Sequence, residues 1–171
     1  MGVQKPGASK GLVLNIIWAN MVSAIGVYWL LLLLIARTDE HRVASPRFVQ
    51  FFCLAFLFLS AADLGVAWFW HRWTTAQVDE RLRAGFHLLS DNERSALSQQ
   101  LFTSAIVTMA LLEAVACFGL VVGLFSRPDP TPFYLFAITS LLGLLLFRLK
   151  VFPTIFEWLG RIERRSSPAR L

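Results

Sequence analysis

Four long apolar blocks, Leu12–Ala36, Phe48–Trp70, Phe102–Ser126 and Pro132–Phe152, divide this chain and limit its fold more tightly than anything else in it. Each is long enough to cross a hydrocarbon layer of about 30 Å, which takes ~20 residues of helix. Lipid offers nothing to backbone amides, so each block must close its hydrogen bonds within itself as a helix. Only 16% of the 171 residues are charged, against about 25% in soluble domains. A soluble enzyme, a disordered chain and a nucleic-acid-binding domain with an open basic face are thereby excluded. The expected fold is a single all-α, four-span membrane domain over residues 1–171.

Charge placement predicts orientation. Twelve of the sixteen Lys and Arg residues lie in the N-terminal segment, the 71–100 connection and the segment from Arg148 onward. The other side carries Arg37, Arg42, Arg47 and Arg127. This bias places both termini and the long connection in the cytoplasm, without saying which membrane is crossed. Lys5 and Lys10 ahead of the first block resemble the start of a signal sequence, but an apolar run of about 25 residues exceeds a cleavable core of 7–15. The first block therefore reads as an uncleaved helix.

Outside the spans, Val78, Leu82, Phe86 and Leu89 recur at helical spacing, which predicts an amphipathic helix on the cytoplasmic membrane surface. Ser90 with Glu93 forms a capping-box pattern that should start a new helix running into the third span. Pro153 should end or kink the fourth span. Beyond it Ile155, Phe156, Leu159 and Ile162 form a stripe opposite Glu157, Arg161, Glu163 and Arg164, predicting an interfacial helix within a basic C-terminal segment, 153–171, that also holds Arg165 and Arg170.

Ionisable residues inside the spans carry most of the functional information, because each costs about 2.5–3.5 kcal/mol to insert. Glu113 lies near the middle of the third span, with no basic residue expected at its depth. Burial without a counter-charge favours the neutral carboxyl, so Glu113 reads as an ion- or proton-binding group, or as a protonated acid bonding Asn20 or Ser23 of the first span. Asp63, in the second span, is a second candidate. It could pair with Arg148 of the fourth, unless Arg148 and Lys150 reach out to headgroups and leave Asp63 bonded to Ser60. Gly119 and Gly123, with Ala116 beside them, form a small-residue face suited to close helix packing, inside the chain or with a partner. Cys53 and Cys117 lie in different apolar helices and read as packing residues.

The run Leu112-Glu-Ala-Val-Ala-Cys-Phe-Gly-Leu-Val-Val-Gly-Leu124 resembles the carboxylate-bearing helix of the proteolipid (c) subunits of rotary ATPases. That resemblance implies an ion-carrying role for Glu113. A repeat lays Met21–Arg37 on Leu111–Arg127, with Ser23 in the place equivalent to Glu113. The alternating glycines of the proteolipid partner helix have no counterpart in Phe48–Trp70, where Gly65 stands alone, and the fourth span has only Gly143.

No enzyme is expected. His41, His71 and His87 lie in connections or at a span end, and no H-E-x-x-H, C-x-x-C or G-x-S-x-G occurs. No metal or other cofactor is predicted. The leading expectation is a non-catalytic integral membrane subunit that packs laterally, through the third helix and its cytoplasmic extension, into a larger assembly. Its partners would be the lipid bilayer and other membrane subunits or further copies of itself, not nucleic acid. The alternative is a proteolipid-like protein translocating protons or cations through Glu113.

Overall fold

A computed structural model describes residues 6–38, 45–85, 90–126 and 131–164. They form five helices: α1 (Pro6–Thr38), α2 (Pro46–Gly85), α3 (Asp91–Phe125), α4 (Thr131–Lys150) and α5 (Phe152–Arg164). The first four are each long and apolar enough to cross a membrane, so the chain is an all-α, multi-pass membrane protein. The C-terminal end of the amphipathic pattern and the basic residues Arg42, Arg127, Arg165 and Arg170 lie outside the described residues, as do His41 and His87.

α3 is the hub. α4, α2 and α1 all pack on it, whereas among the described residues α1 and α2 form no comparable interface with each other. Its core-facing residues are small or medium-sized, among them Ala105, Met109, Leu112, Val115, Ala116, Gly119, Val122 and Gly123, and all are buried. A helix with such residues on several faces can accept neighbours on each of them. The outer faces of α1, α2 and α4 expose large apolar side chains, including Phe58, Trp68, Leu135 and Leu146, as lipid-facing surfaces do.

α2 and α3 outrun the bilayer. α2 has 40 residues and α3 has 35, or about 60 and 52 Å at 1.5 Å per residue. The expected surface helix around Val78 is therefore not a separate element. It is the last part of α2, which continues straight out of the membrane because no Pro or Gly interrupts it between Gly65 and Gly85. Val78 is fully buried against Leu97 and Leu101 of α3 and Ile162 of α5. Gln100 donates to Gln77 across the same pair at 3.1 Å. α3 starts where the capping box predicts. The Glu93 amide donates to Ser90 Oγ at 3.3 Å, and the Ser90 amide donates to Glu93 Oε2 at 2.7 Å.

Pro153 does not stop the helical run: α4 ends at Lys150 and α5 begins at Phe152. The Val151 amide still donates to Phe147 at 2.9 Å and the Ile155 amide to Val151 at 3.0 Å. Pro153 has no N–H to offer the preceding turn, and the join between α4 and α5 falls just ahead of it. Of the stripe foreseen for α5, Ile155, Leu159 and Ile162 are buried and Phe156 is half-buried, with Phe152 buried ahead of them. The stripe does not lie on lipid, however. Phe152, Ile155 and Leu159 join the main core with Leu14 of α1 and Phe147 of α4. Glu157 and Arg161, an i,i+4 ion pair on the opposite face, remain exposed.

Candidate functional site: a polar layer at mid-membrane

Side-chain pairings fix which residues share a depth. α1 runs parallel to α3, with Lys10 Nζ donating to Ser98 Oγ at one end, Tyr28 meeting Glu113 further along, and Leu32 set against Gly123 at the far end. α2 runs antiparallel to α3, with Phe56 stacked on Phe118 and Phe52 set against Phe125. α4 is likewise antiparallel, with Gly143 against Leu112 and Phe136 against Gly119. Counting from these contacts puts Glu113 level with Asp63 of α2, Gly143 of α4 and Ile25 of α1, halfway along the apolar spans.

Glu113 has a partner that the sequence did not suggest. Tyr28 Oη donates to Glu113 Oε1 at 2.5 Å, and Cys117 Sγ lies 3.3 Å from the same phenol as its donor. Cys117 sits one turn beyond Glu113, so the two line one stripe of α3 facing Tyr28. The hydrogen-bonded chain runs from thiol to phenol to carboxyl. All three side chains are half-buried. Ser23 and Asn20, the partners expected for Glu113, are instead exposed.

Asp63 does not pair with Arg148. The His71 ring contacts Phe147 at 5.8 Å, which brings Arg148 level with the end of the second span. Asp63 lies eight residues before His71, about 12 Å along the axis. Arg148 instead donates to the Asn15 amide oxygen and lies over the rings of Trp18, at 4.7 Å, and Phe152, at 5.5 Å. Trp18 is held in place by donating to the Leu144 carbonyl at 3.0 Å. Two aromatic faces and an amide oxygen thus offset the guanidinium where an acid was expected. Among the described residues Asp63 has no hydrogen-bond or ion-pair partner. Among the described residues the ion pairs Asp79–Arg83, Asp91–Arg94 and Glu157–Arg161 each lie within a single helix.

The small-residue face is occupied from within. A Cβ at Gly119 would fall 2.5 Å from Phe136 Cβ, and one at Gly123 would fall 2.8 Å from Leu32 and 2.9 Å from Phe133. α4 and α1 fill this face, with Ala116 fully buried beside it, so it is not where a partner could pack. Helical geometry leaves a different side open. On α3, Thr103, Ala110, Glu113 and Cys117 face the gap between α1 and α2, and Thr103 and Ala110 are exposed there. Asp63 lies on the flank of α2 that carries Phe52 and Phe56 toward this gap, and Asn20 on the flank of α1 that precedes Tyr28 by two turns.

Both cysteines are free thiols. Among the described residues no cluster of three His, Cys, Asp or Glu could hold a metal ion. Comparison of the chain with protein-family models, with curated proteins and with solved structures finds no match.

Proposed function

We propose that this protein is a non-catalytic integral membrane subunit that associates laterally with another membrane chain through the gap between α1 and α2. One observation carries the reading: two carboxyl groups, Glu113 and Asp63, share the mid-membrane level on the open side of α3, and no basic residue of the described chain reaches them. A carboxyl at this depth is tolerated when something beside it bonds or neutralises it. Tyr28 meets that need for one oxygen of Glu113. A polar or basic group on a partner helix would meet it for the rest. In this reading both termini and the α2–α3 hairpin are cytoplasmic, where the excess of Lys and Arg lies.

A photo-crosslinking residue at Ala110 tests the reading in native membranes. It should capture a protein chain, whereas the same residue at Leu146, on the lipid-facing side of α4, should capture only lipid. Asp63→Asn with Glu113→Gln should lower the yield at Ala110 several-fold while the bundle stays folded. Capture of lipid alone at Ala110 would overturn the proposal.

The thiol–phenol–carboxyl chain favours a second reading, in which Glu113 takes up and releases a proton. Glu113→Gln preserves shape and removes the ionisable group. It should abolish proton flux in liposomes and reaction with a hydrophobic carbodiimide. Equal flux in the variant would remove this reading.

A further inference from the structure

α2 and α4 flank α3 on adjacent sides and meet at His71 and Phe147, and the space between their other halves is an elongated groove of about 350 Å³. Its walls are Cys53, Leu57, Ala61 and Leu64 of α2 and Pro132, Leu135 and Phe136 of α4, with Val115 of α3 at the back. It runs from Cys53, level with the start of α4, to Leu64 near mid-membrane. That is eleven residues of α2, about 16 Å, or one leaflet of hydrocarbon. The groove opens on the flank of α2 that carries Cys53, Leu57 and Ala61, about 100° round the helix from Asp63, and neither Asp63 nor Glu113 is part of its lining.

Its deep end is not wholly apolar. Ser60 lines it at 6% exposure, and its hydroxyl has no hydrogen-bond partner. Thr139, at the same level on α4, has already committed its hydroxyl to the Leu135 carbonyl at 2.8 Å. An unpaired hydroxyl in hydrocarbon is costly, and an acceptor delivered to it gains more than it would in water. A saturated acyl chain would fill the groove and leave Ser60 unpaired. A carboxylate or phosphate would have to carry its charge to the membrane centre. The groove and its hydroxyl together select a neutral molecule with an apolar body and an uncharged acceptor at its leading end.

The geometry points to a binding site for a neutral lipophilic carbonyl compound of the quinone class, which enters sideways from the bilayer and accepts a hydrogen bond from Ser60. The site is tested with the full chain in lipid nanodiscs, using a decyl-substituted benzoquinone as probe and decylcyclohexane as its hydrocarbon counterpart. Retention is measured on the protein by native mass spectrometry. The benzoquinone should be retained stoichiometrically. Ser60→Ala, which removes one oxygen, should weaken it about ten-fold, and Ala61→Trp, which fills the groove, should abolish it. Circular dichroism confirms that each variant is folded. Equal retention of the two probes, or an unchanged benzoquinone affinity in folded Ser60→Ala, would overturn the proposal and leave the groove as a slot for hydrocarbon chains.

Discussion

At the scale of single residues, the chain separates glycines that pack from glycines that do not. A methyl group at Gly119 meets Phe136 Cβ and the Phe133 carbonyl oxygen, both close to rigid backbone, while Gly65 and Gly26 have nothing within 4 Å. Gly119→Ala should therefore force α4 away from α3 and destabilise the bundle by about 1–3 kcal/mol. Gly26→Ala should be neutral or stabilising by about 0.5–1 kcal/mol, since it removes a flexible residue from a helix interior. Denaturation in mixed micelles measures both, and equal effects would show that the α3–α4 contact is looser than described. The sequence revealed the small-residue spacing but not what fills it, because a face of this kind admits any helix. Glu113 was legible for a similar reason: an acid in an apolar run stands out, whereas Tyr28, an amphipathic residue at home in such a run, does not.

Among the elements, the α2–α3 hairpin shows where reading apolar periods misleads. The end of the apolar block at Trp70 marks the end of the hydrocarbon, not of the helix, and only a breaker would have stopped α2 there. The start of α3 was legible because a cap has a specific chemistry. Hydrogen bonds from the Ser90 amide and hydroxyl hold the Glu93 carboxyl below its ordinary value of 4.5, and nearby Arg81 adds to this. A depressed folded value means that the carboxylate favours the capped helix above the ordinary range. That contribution is lost as pH falls through the folded value. Hydrogen exchange of the first turn of α3 should accordingly show capping protection at neutral pH that fades below about pH 4.5. Glu93→Gln should remove the pH dependence, and Ser90→Ala should weaken the turn at every pH by about 1 kcal/mol. A first turn whose protection is indifferent to both substitutions would mean that tertiary contacts, not the cap, set where α3 begins.

Across the whole molecule, the four spans and their antiparallel order followed from length and hydropathy, but their arrangement around α3 did not. Arrangement depends on which faces fit, and four leucine-rich helices offer many similar fits. α5 illustrates the difference. Its stripe was visible as a period, and a lipid surface and a protein groove both satisfy such a period. The structure chooses protein: Ile155, Leu159 and Ile162 are buried against α1, α3, α4 and the end of α2, with the Phe156 ring packed beside Gly11 of α1. α5 thereby ties together the start of α1, the end of α2 and the start of α3, three parts of the chain that the membrane alone would not hold in register. Leu159→Ala should cost about 2–4 kcal/mol through the cavity it leaves. Combined with Ile155→Ala it should release α5, so that trypsin cuts after Arg161 in folded protein at least ten-fold faster than in the parent. If α5 were held by lipid instead, the two truncations would loosen it only in proportion to lost apolar area, and detergent exchange in the parent protein would free it just as readily. Cleavage that follows the substitutions and not the detergent is the outcome that a docked helix requires.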